Sequence, residues 1–285
     1  MAKYVPDVKT QRWVIISALR TRRPTNLEGS PPAGGFVCPF CNGNESVTPP
    51  EVFRIGAGEK DKPGWQVRVV PNKYPITDLH EVIIHSPDDA RDIENLEDEQ
   101  IVRVLTAYRE RYNAHRENGH VIIFCNHGFH AGASLSHPHS QLVVVPKQIN
   151  LDAVSMEPIA NIVVENDHFV TYCPEFSQWP YEVWVAPKIM GEFFGDITDD
   201  GIKNLAPALR GALKRIELVL KDPELPFKQA NEPFVYNYYI YHGANWFLRI
   251  TPRAVHRAGF ELGTGLSVNV VDPTDAAERL RNQNI

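Results

Sequence analysis

WQVRVVPNKYPITDLHEVIIHSP (residues 65–87) is answered further along the chain by HFVTYCPEFSQWPYEVWVAPK (168–188). Each stretch reads as strand, Pro-containing turn, strand, because apolar and β-branched residues alternate on both sides of the turn. HEVIIHSP corresponds to YEVWVAPK. A helical pattern follows each copy. LEDEQIVRVLTAYRERYNAHR (96–116) sets Ile101, Leu105, Tyr108 and Tyr112 on one face, and TDDGIKNLAPALRGALKRIELVLKD (198–222) does the same with Ile202, Leu205, Leu209, Leu213, Ile216 and Leu220. Thr198, with Asp199 and Asp200, reads as a helix start, and Gly119 as the stop of the first helix. A closing strand pair ends each copy: HVIIFCN with SQLVVVPK, and PFVYNYYIYHG with NWFLRITPR. This internal repeat predicts an α+β protein of two tandem units, 1–150 and 151–285. Each unit is an antiparallel sheet with a crossover helix, and a pseudo-twofold relates the two.

The 285 residues, 43% apolar and 22% charged, suffice for two such units with a sizeable core. A net charge of −6 offers no basic excess for nucleic acid. Arg20, Arg22 and Arg23 cluster near the start, which suits a small anionic ligand better than a polymer, although such runs are also solvated turns. MAKYVPDVKTQRW has no apolar segment of the signal-peptide kind, and no run reaches membrane-span length. Four cysteines in a chain this long make no disulfide framework. The cytoplasm is the expected compartment, with no membrane partner.

The repeat isolates what is special to one copy. Aligning VVVPK (143–147) with RITPR (249–253) sets His137 opposite Gly243 and His139 opposite Asn245, so only the first copy carries the histidine pair. In SHPHSQLVVVP the period of two puts His137, His139 and Gln141 on one strand face, and Pro138 stiffens the pair. Upstream, NHGFHAGAS (126–134) has the small residues of a tight loop whose amides can meet phosphate oxygens. A neutral imidazole is a usable nucleophile or base near neutral pH. Histidines at a strand edge also serve packing, but two at this spacing beside a Gly-rich turn and a glutamine favour a site. FVCPFCNGNE carries Cys38 and Cys41. A CxxC followed by glycine is half a tetrahedral zinc site, a redox pair or two buried thiols. The surrounding prolines and glycines argue against the helix start that a redox pair needs. Trp179, Trp184 and Trp246 read as core or interface aromatics.

Taken together, RWVIISALRTRRP, CPFC, SPDD, NHGFHAGASLSHPHSQ, ENDHFVTYCPEFSQWPYEVWVAPK and GFELGTG resemble the galactose-1-phosphate uridylyltransferase family, a branch of the histidine-triad superfamily, over nearly the whole chain. The resemblance implies ping-pong nucleotidyl transfer between a nucleotide sugar, UDP-glucose, and a hexose 1-phosphate, galactose 1-phosphate. His139, the second histidine of HPH, is implied as the covalent nucleophile, and Gln141 as the residue holding a non-bridging phosphate oxygen. Arg20, Arg23, Asn126, Gly132 and Ser134 match phosphate-contacting positions. Asn72 lies in the nucleotide-facing stretch PNKYP, and Glu261 matches a carboxylate that reads sugar hydroxyls. The placement of Glu261 between Phe260 and Leu262 suggests a strand. His137 is implied as a zinc ligand with Cys38 and Cys41, and a homodimer in which one subunit completes the other's site is implied as well.

The chain also departs from the family pattern. SPDD puts Asp89 where several members have a histidine ligand, with His85 as the competing donor. Arg249 and Thr251 replace the HxH of a second metal site, so no metal is expected there. SLSHPHSQ with GFELGTG, and Ser140 in place of glycine, are closer to the ADP-glucose phosphorylase branch, which transfers an adenylyl group to phosphate. A hydrolase of the same superfamily is the remaining alternative.

Overall fold

The computed structural model describes residues 2–7, 12–22, 37–151, 159–225 and 234–285. A small hairpin, β1 (Lys3–Asp7) with β2 (Arg12–Ile16), stands apart from the main sheet. The other strands are β3 (Phe53–Gly56), β4 (Trp65–Pro71), β5 (His80–Ile84), β6 (His120–His127), β7 (His139–Val145), β8 (Ile162–Glu165), β9 (Phe169–Tyr172), β10 (Val183–Pro187), β11 (Tyr236–Ile240) and β12 (Leu248–Pro252). They form one antiparallel sheet in the order β3-β4-β5-β7-β6-β11-β12-β10-β9-β8. Read outward from the β6–β11 seam, the two halves run β6-β7-β5-β4-β3 and β11-β12-β10-β9-β8, the expected pseudo-twofold. At the seam Tyr236 to Ile240 pair with His127 to Ile123, so the units share one sheet.

Each half has one more strand than the repeat suggests. The extra strands, β3 and β8, are four residues long, and the register of each shifts against its neighbour. Short, irregular edges resist further strand addition, and too few residues alternate in them to mark a strand in the sequence.

Two long helices, α1 (Asp98–His115) and α2 (Asp199–Leu220), cover one face and pack on each other. Their buried residues include the whole predicted stripe: Ile101, Leu105, Tyr108 and Tyr112 on α1, and Ile202, Leu205, Leu209, Leu213, Ile216 and Leu220 on α2. The Thr198 side chain accepts the Gly201 N–H at 3.0 Å, the helix start read from the sequence. Gly119 acts differently from a helix stop. Its φ is not positive, and a β-carbon there would lie 2.3 Å from the Val145 carbonyl oxygen, so the glycine lets β6 approach β7 closely. Two short helices, α3 (Gly259–Thr264) and α4 (Pro273–Arg281), follow β12. No helix among the described residues is long and apolar enough to cross a membrane.

On the opposite face, Arg68 of β4 is only 1% exposed. Its Nε donates to Glu51 Oε2 at 2.8 Å, its Nη1 to Thr48 Oγ1 at 2.8 Å and its Nη2 to Asp61 Oδ1 at 2.9 Å. The guanidinium therefore ties segment 45–51 to the sheet. Arg68→Met should destabilise the protein by about 3–5 kcal/mol, because it strands the buried Glu51 carboxylate. A loss below about 1 kcal/mol in urea titrations at neutral pH would contradict this anchoring role.

Candidate active site

Strand β7 lies between β5 and β6, with Ile84 opposite His139 and Val82 opposite Gln141 on one side, and Phe124 opposite Gln141 on the other. Its alternation turns His139 and Gln141 away from the helices, and Ser140, Leu142 and Val144 toward them. His137 falls just before the strand, where the His85 N–H donates to the Pro138 carbonyl at 3.1 Å and prolongs the pairing. Phe40 meets both histidine rings edge-on, at 6.0 Å from His137 and 5.3 Å from His139. The two imidazoles thus share one side of the chain, as the sequence suggests.

His137 Nδ1 lies 3.7 Å from Cys38 Sγ and 3.6 Å from Cys41 Sγ. Its other nitrogen, Nε2, donates to the Ser86 carbonyl at 2.9 Å, which fixes the ring with Nδ1 toward the sulfurs. For a tetrahedral ion with ordinary zinc–sulfur and zinc–nitrogen bonds, the sulfur–nitrogen edge is about 3.6 Å. The three side chains therefore fit a divalent metal. Burial alone would raise the Cys38 thiol, but the His137 ring and the Phe40 backbone outweigh it and lower the Cys38 pKa. Burial, Cys38 and Asp89 push Cys41 up to about 12. Asp89 stands on the exposed rim, with Oδ2 3.5 Å from Cys41 Sγ. His85 is elsewhere. It is buried on the helix side, with Nε2 2.7 Å from Ser140 Oγ and 3.1 Å from the Tyr108 hydroxyl. Burial comes first in holding its pKa well below 6.5, followed by the charges of His139 and His137.

His139, 7% exposed, lines a cavity of about 220 Å³ with Gln141, Asn72 and Ser134. Val37, Pro39 and Phe40 of the CxxC loop form one wall, and Val47, Thr48 and Pro49 another. His139 Nδ1 lies 2.9 Å from the His137 carbonyl. Only a protonated Nδ1 can bond there, so in the neutral ring the lone pair is on Nε2.

Among the described residues, none of the other predicted binding residues lines this cavity. Arg20 Nη1 donates to the carbonyl of Tyr74, a cavity residue, at 3.1 Å, and burial lowers the Arg20 pKa. Arg23 lies outside the described residues. Asn126 Oδ1 accepts from Asn237 Nδ2 at 2.8 Å across the seam and does not line the cavity. Gly132 closes the turn after the 3₁₀ segment Phe129–Ala131 at φ +85°, a backbone conformation that suits glycine. Glu261 is on helix α3 rather than a strand. Its Oε2 accepts the Ala258 N–H at 3.0 Å, and it lies outside the His139 cavity of its own chain. GFELGTG contains three glycines and too few apolar residues for its period to distinguish a six-residue helix from a strand. Ser140 faces the helices, fully buried among His85, Tyr108 and Tyr238. Its departure from the family pattern therefore concerns the back of β7 and not the His139 cavity. Sequence reasoning missed Phe40, His80 and Arg68. Alternation in β5 was the one signal that could have associated His80 with the cavity face.

The two-layer α+β fold, with paired five-stranded halves, a His-Pro-His strand entry and a cysteine pair beside it, is the architecture that the histidine-triad resemblance implies. Comparison with known proteins narrows this. The family described as galactose-1-phosphate uridyl transferase, N-terminal domain, matches residues 78–145. ADP-glucose phosphorylase of Arabidopsis thaliana is 29% identical over 98% of this chain and 92% of its own. Galactose-1-phosphate uridylyltransferase of Thermotoga maritima is 26% identical over 97% of this chain and 96% of its own. A crystal structure of an ADP-glucose phosphorylase from Arabidopsis thaliana with bound ADP-glucose superposes with a TM-score of 0.74 at 28% identity, covering all of both chains. The chain is thus similar along nearly its whole length to galactose-1-phosphate uridylyltransferases and to an ADP-glucose phosphorylase.

A second cluster lies on the helix side, where the phosphate-type loop begins. His127 Nδ1 is 3.0 Å from Asp92 Oδ1, the Phe234 backbone bonds the same ring, and the Tyr236 hydroxyl donates to Glu94 Oε2 at 3.0 Å. Burial works against the His127 imidazolium, but Asp92 and Glu94 outweigh it and raise its pKa. A histidine whose folded pKa is raised stabilises fully below its unfolded value of about 6.5, and loses that contribution as pH climbs through the folded value. The stability gap between wild type and His127→Gln should therefore be wider at pH 6 than at pH 9. Denaturant titrations giving the same gap at both pH values would count against a charged His127.

Proposed function

We propose that the protein moves a nucleotidyl group from a nucleotide sugar to a phosphate acceptor through a covalent bond to His139 Nε2. The observation that carries this reading is the His139 Nδ1 contact to the His137 carbonyl, which leaves the nucleophilic lone pair on Nε2 in a residue that lines the cavity. In the first half-reaction that lone pair forms the N–P bond, and the bond from phosphorus to the sugar phosphate oxygen breaks. Positive charge then grows on the imidazole, and the Nδ1–H bond to the carbonyl strengthens as it does. A second phosphate acceptor reverses the step on the same phosphorus, so one cavity serves both halves. Arg20, Arg23, Asn72, Asn126, Gly132 and Ser134 are the proposed binding residues for nucleotide and phosphates.

Uridylyl transfer from UDP-glucose to galactose 1-phosphate is the reading favoured by the motifs and by the uridylyltransferase relatives. Adenylyl transfer from ADP-glucose to phosphate is the second reading, favoured by the whole-chain likeness to the Arabidopsis thaliana phosphorylase. Zinc is the proposed ion for Cys38, Cys41, His137 and Asp89. Bound there, it would supply a structural crosslink between the CxxC loop and the entry to β7 and take no part in the phosphorus chemistry. We also propose a homodimer, to which a partner copy would bring Glu261. Phe260, Leu262, Leu266, Val268 and Val270, all exposed around that residue, support this.

Intact-protein mass after mixing with UDP-glucose or ADP-glucose, with no acceptor and at mildly alkaline pH, tests the central claim. A uridylyl or an adenylyl adduct would decide between the two readings, and no adduct from either would refute both. In His139→Ala the adduct should vanish and turnover should fall by roughly 10⁴-fold or more, while the protein stays folded. Cys38→Ser should lose bound zinc and melt at a lower temperature, and an unchanged metal content by elemental analysis would defeat the ligand assignment.

A further inference from the structure

His80 opens β5 on the cavity side of the sheet, two residues from Val82, which faces Gln141 across the strands. It is buried, and its ring is held from both ends. The Ile76 N–H donates to Nδ1 at 2.9 Å, so Nδ1 is an acceptor and the single ring proton is on Nε2. Nε2 lies 3.0 Å from Gln141 Oε1 and 3.1 Å from Asn72 Nδ2. Asn72 Nδ2 is itself a donor, because Asn72 Oδ1 already accepts the Tyr74 N–H at 2.8 Å. Gln141 Oε1 is therefore the acceptor of the His80 proton. An amide has an oxygen end and a nitrogen end of nearly equal size, and only its hydrogen-bond partners decide which way round it lies. Here the relay Ile76 N–H to His80 to Gln141 holds the oxygen end, which leaves the NH₂ end for whatever occupies the cavity beside His139.

The geometry points to His80 as a positioning residue for nucleotidyl transfer: through Nε2–H it holds the Gln141 amide so that NH₂, and not oxygen, meets the phosphorus attacked by His139. This rests on the transfer reading above. In the step itself the His139 Nε2 lone pair forms the N–P bond, and the departing sugar phosphate oxygen takes the electrons of the broken P–O bond. The Gln141 NH₂ donates to a non-bridging oxygen on which negative charge concentrates, and no proton passes through His80. A reversed amide would set its oxygen against that charge, so the orientation acts mainly on the rate and little on ground-state binding.

The test is a double-mutant cycle on full-length, zinc-loaded protein, read as the single-turnover rate of adduct formation from the active donor, with binding of the matching nucleoside monophosphate measured in parallel. His80→Leu should slow adduct formation by roughly 10- to 100-fold and change nucleotide affinity by no more than about 3-fold. Gln141→Ala should show a similar loss. The double variant should be no slower than Gln141→Ala alone, because His80 acts through that side chain. His80→Gln, which restores an N–H near the Nε2 position, should recover most of the rate. Losses that multiply in the double variant, or a His80→Leu protein of wild-type rate, would overturn the positioning role. Nitrogen-15 spectra of histidine-labelled protein give a readout independent of turnover: His80 should be the Nε2-protonated tautomer, and an Nδ1-protonated ring would overturn the proposal. A wild-type protein that forms no adduct would refute nucleotidyl transfer itself, a failure distinct from multiplying losses in an active enzyme.

Discussion

A β-strand can offer only every second side chain to a given face, and β7 uses both of its faces. His139 and Gln141 turn to the cavity, while Ser140, Leu142 and Val144 turn to the helices. Because β5 and β6 flank it on both sides, β7 cannot slip by one residue without moving the imidazole into the core and the apolar side chains out. The core therefore fixes the direction in which His139 faces. Behind it, Ser140 is within hydrogen-bonding reach of His85, Tyr108 and Tyr238, and the Tyr108 hydroxyl lies 2.7 Å from that of Tyr238. Tyr238 belongs to β11, so the second half of the molecule buttresses the back of β7 in the first.

The front of the strand is held by a different device. The CxxC loop turns back on itself, with the Asn44 N–H bonded to the Cys41 carbonyl at 3.1 Å, and brings two sulfurs to His137. The same loop supplies Phe40, which packs edge-on against both histidines and walls the cavity. The cysteine–histidine cluster is thus mechanically continuous with the wall of the His139 cavity. A second lining segment, Val47 to Pro49, has its own anchor in the buried Arg68 network. A cluster of two sulfurs and an imidazole adjoins one lining segment of the cavity, and the buried guanidinium–carboxylate network holds another.

Much of this was legible in the sequence. The repeat announced paired antiparallel halves, the 3.6-residue stripes identified α1 and α2, and the period of two grouped His139 with Gln141. Less legible were features that need a third dimension. The edge strands β3 and β8 are too short to show alternation. Glu261 was expected on a strand and lies on α3, because two apolar neighbours fit either period. His85 competed with Asp89 on spacing alone, and only the face to which β5 turns it separates the two. His80 and Arg68 carry no motif, and their roles arise from partners 61 and 17 residues away along the chain.

The position in the second half that corresponds to His139 is Asn245. Asn245 adopts φ +60°, its side chain accepts the Gly191 N–H at 2.6 Å, and its own N–H is bonded to the Glu192 carbonyl, while β12 begins only at Leu248. The backbone, and not merely the side chain, has left the strand at this point. An imidazole introduced at 245 would inherit a left-handed turn instead of a pleat, and would point where no strand directs it. The asymmetry of the two halves therefore lies in the main-chain path at this point as well as in the side chain, and a single residue exchange at 245 would leave that path in place.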